Sequence, residues 1–204
     1  MSEEKTDQYM KPHGVEGIQV IESMNEEHQE ISEFAFECVD FNENANILDI
    51  GCGGGVNIEK FLKATKGNVD GLDYSDVSVR ESIKRNQDSV DSGRCNVIQA
   101  NVANMPIEDE SYDLATAFST IFFWPDLGES FKEVFRILKP NGQFMMANGI
   151  DGTNPADEEL ADNIEGINLH TPDELEEYLL EAGFKSVEMF KKDNTFISVI
   201  IAKK

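Results

Sequence analysis

Residues 47–55 read Ile47-Leu48-Asp49-Ile50-Gly51-Cys52-Gly53-Gly54-Gly55. A short apolar run carries one carboxylate and then breaks into glycines around a cysteine. An apolar run bounded by glycine reads as a buried strand. Glycine has no Cβ, so the chain can turn sharply and a ligand can approach backbone N–H groups closely. Val56, Ile58, Phe61 and Leu62 then space like one face of a helix. Strand, glycine turn and helix are the units with which an open α/β sheet builds a nucleotide site.

The spacing narrows the ligand. The dinucleotide fingerprint G-x-G-x-x-G requires glycine at position 56, which is Val56. The chain instead has G-x-G-x-G through Gly51, Gly53 and Gly55. Asp49, two residues before the first glycine, suits an ammonium or a sulfonium better than a pyrophosphate. A second apolar run, Val69-Asp70-Gly71-Leu72-Asp73-Tyr74, ends in Asp73. An acid about 20 residues beyond such glycines is placed to hold ribose hydroxyls.

These groups need a scaffold, and the periodicity supplies one. Strands are expected near 46–50, 69–73, 95–99, 113–118 and 143–148. Helices are expected near 55–65, from Ser75 or Asp76 to about Val90, and near 127–138, with Pro140-Asn141-Gly142 as a turn. Ser23-Met24-Asn25-Glu26 has capping-box form, predicting a helix over 23–38 with His28, Ile31, Ala35 and Cys38 on one face. Residues 1–22 read as a flexible arm, and 23–204 as one domain with a lid helix over 23–40. Residues 151–169 read as a polar loop. Thr171-Pro172-Asp173-Glu174 starts a helix that ends at Gly183. Two final strands, near 187–190 and 196–202, form a closing antiparallel hairpin. The fold class is α/β: a Rossmann-like, seven-stranded, mostly parallel sheet with helices on both faces.

Composition bounds the partners. The 204 residues hold 17 Lys and Arg against 40 Asp and Glu, a net charge of −23. Such a chain repels phosphate backbones and anionic lipid, so no nucleic acid or membrane partner is expected. There is no run of 18 apolar residues and no signal-peptide pattern, so a cytoplasmic protein is expected. Cys38, Cys52 and Cys95 form neither a disulfide framework nor a zinc pattern, and no metal is expected.

The ordered motifs resemble those of the class I S-adenosylmethionine-dependent methyltransferases of small-molecule type. Ile47–Gly55 is similar to the family's first motif, and Asp73 to its ribose-binding acid. Asn101 to Ile107 resembles the adenine segment, Tyr112 to Phe118 the fourth strand, and Phe131 to Gly142 the helix and turn before the fifth. The resemblance implies S-adenosylmethionine as cofactor and S-adenosylhomocysteine as product. It places Gly51, Cys52, Gly53 and Gly55 around the methionine part and Asp49 near its amino group. It places Asp73 on the ribose, Tyr74 over adenine, Asn101 and Val102 at the adenine edge, and Phe118 beside the methyl group. Many relatives have aspartate where this chain has Asn101.

The acceptor side is less defined. The stretch Phe118-Ser119-Thr120-Ile121-Phe122-Phe123-Trp124-Pro125 lacks the proline-rich motif of the family's amino-group methylases. Its rings could wall an apolar or cationic acceptor. His28 is the one candidate base, and its helix face suits a packing histidine equally. The expected function is in-line methyl transfer to a small-molecule acceptor by a monomer or homodimer. A non-catalytic binder of the methyl donor, a partner subunit, or a protein methyltransferase are the alternatives. Val56, Asp49 and the terminal hairpin count against a nicotinamide-dependent oxidoreductase.

Overall fold

The computed structural model describes residues 8–150, 152–154, 157 and 161–204. Seven strands form one sheet: β1 (Ile47–Ile50), β2 (Val69–Asp73), β3 (Val97–Gln99), β4 (Tyr112–Phe118), β5 (Leu138–Asn148), β6 (Ser186–Lys191) and β7 (Ser198–Lys203). Their order is β3-β2-β1-β4-β5-β7-β6. The first five run parallel, β7 pairs antiparallel with β5, and β6 with β7. The strand order reverses between β1 and β4. In open α/β sheets the crevice beyond the carboxyl ends of the strands at such a point is where ligands bind.

The helices are α1 (Gly14–Glu27), α2 (Gln29–Cys38), α3 (Val56–Ala64), α4 (Asp76–Arg85), α5 (Gln87–Asp91), α6 (Leu127–Ile137) and α7 (Pro172–Ala182). They bury both faces of the sheet. Phe131 and Val134 of α6 and Leu175 and Leu179 of α7 pack on Ala115, Phe144, Met146 and Ile200. Ile31 and Ala35 of α2 and Ile58 and Phe61 of α3 pack on Leu114, Phe118, Met145 and Val199. Alternate residues of β4, β5 and β7 therefore feed opposite cores. A sheet covered on both faces needs nearly continuous apolar strands, which is what the sequence shows.

The local signals act as their chemistry dictates. Ser75 Oγ accepts from the Val77 and Ser78 N–H groups and starts α4. Thr171 and Glu174 form a reciprocal capping box with Pro172 in the first turn, and Gly183 closes α7 in the left-handed region. The Pro140–Gly142 turn is accommodated as an irregularity in β5: Tyr112 pairs with Leu138, but Leu114 with Gln143.

Five expectations need correction. Helix begins at Gly14, so residues 14–22 belong to α1 and not to an arm. Ile21 is buried, and Gly17 lies against Pro12 closely enough that any side chain there would collide with its backbone. Ser23 is interior to α1, and its hydroxyl donates to Glu27 instead of capping. The single lid helix over 23–38 is two helices broken at His28, whose φ and ψ of −89° and 5° leave the helical region. The helix after Ser75 likewise stops at Arg85, and α5 is a separate turn. Of the polar loop expected over 151–169, residues 161–163 are helical, while 151, 155, 156 and 158–160 lie outside the described residues, as do 1–7 of the arm.

The ion pairs Lys63–Glu59, Lys66–Glu43 and Arg80–Asp76 are largely exposed, and such pairs offset little of a charge of −23. Raising potassium chloride from about 0.1 M to about 1 M shortens the Debye length from about 10 Å to about 3 Å. The melting temperature is expected to rise across that range as self-repulsion is screened; a flat or falling Tm by circular dichroism contradicts this. Thr171→Ala is expected to cost about 1 kcal/mol in urea unfolding, because the α7 cap is lost.

Candidate functional site

A cavity of about 370 Å³ opens at the carboxyl ends of β1, β2 and β4, roofed by α1, α2 and the segment before them. The glycine turn forms its floor. Gly51, Gly53 and Gly55 have φ of 72°, 50° and 75°, the left-handed region that side chains rarely adopt. At Gly51 a Cβ would also run into Thr120 of the loop after β4. At Gly53 a Cβ would meet no atom within 4 Å, so that backbone faces open space in the cavity wall.

Asp73 ties this turn to β2. Its Oδ2 accepts from the Gly53 N–H at 2.9 Å, and its Oδ1 from the Ser75 N–H at 2.8 Å. It lines the cavity although only 9% exposed. Burial raises its pKa, and the backbone donors pull it back. Arg85 Nε donates to the Gly54 carbonyl and Asn86 Nδ2 to the Gly55 carbonyl, so the end of α4 grips the same turn from behind.

Asp49, expected near the cofactor's amino group, does not itself line the cavity. It is 2% exposed, accepts from Thr116 Oγ1 at 2.7 Å, and stands behind the cavity wall. Burial raises its pKa to about 7, the Thr116 hydroxyl opposes the shift, and the Asp73 charge adds to it. Gly55 also lies off the wall. It is the N-cap position of α3, where a Cβ would collide with Ser82 of α4.

The remaining sequence candidates line the cavity. Cys52 is buried, its thiol 3.9 Å from Ser82 Oγ, and burial pushes its pKa well up, so it is an unreactive packing group. Tyr74 is 52% exposed, and Lys11 Nζ sits 4.2 Å from its ring centroid. Asn101 and Val102 form the far wall, but Asn101 Oδ1 accepts from the Ala103 N–H at 2.9 Å in a local turn. Phe118 stands at the end of β4, with Phe123 and Trp124 beyond it, whereas Phe122 turns into the core. His28, at the break between α1 and α2, faces the cavity; burial lowers its pKa against the pull of Glu27.

Several wall residues gave no sequence signal. Ser75 Oγ donates to the Pro12 carbonyl at 2.5 Å, which brings Tyr9, Met10 and Pro12 over the site. Ile21 and Asn25 of α1 pack against Gly54. Ser32, Asn57 and Lys60 form a polar wall between α2 and α3. Among the described residues, no group of three metal-ligating side chains converges, and no helix is long and apolar enough to cross a membrane.

The seven-stranded sheet of this order, with an acid at the end of β2 bonded to a glycine turn after β1, has the fold of solved S-adenosylmethionine-dependent methyltransferases. The family model described as "Methyltransferase domain" matches residues 48–146. Methyltransferase phqN of Penicillium fellutanum is 29% identical over 156 residues, covering 72% of this chain and 48% of that protein. Sterol 4-C-methyltransferase strm-1 of Caenorhabditis elegans is 28% identical, covering 81% of this chain and 51% of its own length. The chain thus spans about half the length of these curated relatives. A chain from the complex between the Haloferax volcanii Trm112 methyltransferase activator and the putative methyltransferase superposes with a TM-score of 0.83 at 17% identity, covering 99% of both chains. Over residues 48–146 the chain is thus similar to the methyltransferase-domain family, and its fold is that of solved S-adenosylmethionine-dependent methyltransferases.

The open backbone at Gly53 and the acid at Asp73 fit that family's cofactor. Asp73, Gly51, Gly53, Asn101 and Val102 line one cavity. Asp49 generates a test of the wall electrostatics. Its pKa is raised from 3.8 to about 7, so the stability it contributes is full below about pH 4 and is lost as pH rises through 7. Asp49→Asn removes this loss. The ligand-free variant is expected to be more stable than wild type at pH 8 and to approach it at pH 5. Equal urea midpoints at both pH values would show that Asp49 ionises normally.

Proposed function

We propose that this protein transfers a methyl group from S-adenosylmethionine to a small-molecule acceptor. The carrying observation is one cavity whose wall combines a carboxylate and open glycine backbone with aromatic rings. Asp73, Gly51 and Gly53 line it together with Phe118, Phe123 and Trp124, under a common roof of α1 and α2. The cofactor supplies an electrophilic methyl on a sulfonium. The chain's task is to hold two reactants in line and keep water out, and such positioning supplies much of the rate of a displacement. Asp73 fixes the ribose, the left-handed glycines let the backbone meet the methionine part, and the rings confine the acceptor. With its pKa lowered by burial, His28 is neutral near pH 7 and can take a proton from an oxygen or nitrogen acceptor.

The curated relatives support a small acceptor, since one is named for sterol methylation. The amount of aromatic wall fits an apolar or cationic molecule better than a polyanion, as does a net charge of −23. A second reading has the protein act with an activator subunit. The neighbour that covers 99% of this chain comes, by its title, from such a complex. Under that reading the isolated chain binds cofactor weakly, and turnover appears only with the partner.

Two measurements decide between these readings. Incubating the protein with S-adenosylmethionine and a broad acceptor panel is expected to release S-adenosylhomocysteine; no release with any acceptor, alone or with a Trm112-type activator, overturns the enzyme reading. Asp73→Ala is expected to weaken S-adenosylmethionine by about 1–3 kcal/mol in isothermal titration, the scale for losing a partner of buried polar groups. Unchanged affinity would remove Asp73 from the site.

A further inference from the structure

The cavity wall between α2 and α3 carries a polar chain that the methyl-transfer reading leaves unused. Lys60 Nζ donates to Ser32 Oγ at 2.8 Å, and Ser32 Oγ donates to Asn57 Oδ1 at 2.7 Å. All three residues line the cavity, and Ser32 is only 3% exposed. The direction of the chain follows from its members. An ammonium has no lone pair, so Lys60 must donate, and the hydroxyl proton must then go to the amide oxygen. That leaves two ammonium N–H groups and the Asn57 NH₂ without assigned acceptors.

Lys60 also lacks the partner that this chain could most easily provide. Acids outnumber bases 40 to 17, yet among the described residues no carboxylate forms an ion pair with Lys60. Burial lowers its pKa, and the more distant Glu33 raises it. A half-buried cation kept unpaired, with several donors on one stretch of cavity wall, is complementary to an anion.

We infer that Lys60 and Asn57, positioned by their shared partner Ser32, form a subsite for a carboxylate in the cavity that Asp73 also lines. A monoanion fits better than a phosphate dianion. The subsite has one positive charge, Asp73 lines the same cavity, and the whole chain carries −23. The inference rests on the methyl-transfer reading and deepens it. The carboxylate comes either from the methionine half of the cofactor or from the acceptor.

The test is calorimetry with S-adenosylhomocysteine and with its decarboxylated analogue, 5′-(3-aminopropyl)thioadenosine, on wild type, Lys60→Met, Lys60→Arg and Ser32→Ala. Circular dichroism establishes that each variant is folded. If the carboxylate is the cofactor's, Lys60→Met weakens S-adenosylhomocysteine about tenfold to a hundredfold. The analogue is unaffected, and Lys60→Arg restores most of the loss. If it is the acceptor's, S-adenosylhomocysteine affinity is unchanged, and acetate or benzoate raises the Tm of its complex in wild type but not in Lys60→Met. The inference is overturned if neither S-adenosylhomocysteine nor either acid responds to Lys60→Met or Ser32→Ala. Wild type that binds the analogue, with no dependence on Lys60 in any arm, overturns this inference alone. Wild type that binds neither nucleoside overturns the cofactor reading and the inference with it.

Discussion

The hydrogen bond from the Gly53 N–H to Asp73 Oδ2 joins the ends of two neighbouring strands, and the site is assembled around it. It can form only because the chain leaves β1 through left-handed backbone at Gly51 and Gly53. It also requires β1 and β2 to run parallel in a register that pairs Ile50 with Leu72, just before the turn and the acid. Arg85 and Asn86 then hold the Gly54 and Gly55 carbonyls. A backbone turn that a ligand can approach is thereby fixed from β2 and from the end of α4. Preorganisation of this kind spares the ligand the cost of ordering the loop.

The roof depends on the same turn. Gly54 has no side chain, and Ile21 and Asn25 occupy the space where one would stand. Ser75 serves two structures at once. Its oxygen accepts from the first N–H groups of α4, and its proton goes to the Pro12 carbonyl. The acidic end of β2, the start of α4 and the segment leading into α1 are therefore one hydrogen-bonded unit. The contacts that join the roof to this unit are buried: Ser75 and Ala35 are wholly covered and Ile21 nearly so.

The cavity wall carries charges of both signs. Asp73 lines it and Asp49 stands behind the floor, its ionisation opposed by burial. Lys60 and His28 belong to the side beneath α2. Burial works against the charge of both acids, so part of the folding stability is given up to keep carboxylates near the site. Strain of this sort at a site is offset by packing elsewhere. Here the two apolar cores on either face of the sheet supply that packing.

Much of this protein is decided locally. The glycine turn, the acid at the end of β2, the Ser75 and Thr171 caps, the Gly183 stop and the final hairpin each depend on residues within a few positions of one another, so the chain itself specifies them. Their order implies the sheet, because a parallel strand–helix–strand unit has essentially one handedness. What the tertiary structure decided is where side chains distant in sequence meet. Residues 14–22 become helix because Ile21 finds Gly54, a contact invisible to local polarity. Asp49 lies behind the wall because Thr116, 67 residues away, turns its carboxylate inward. Gly55 serves close packing against Ser82 and not the cavity. The Lys60–Ser32–Asn57 chain spans two helices whose proximity no spacing encodes. Turn chemistry and periodicity are short-range properties of the chain, whereas burial and charge pairing exist only once the sheet brings its strand ends together.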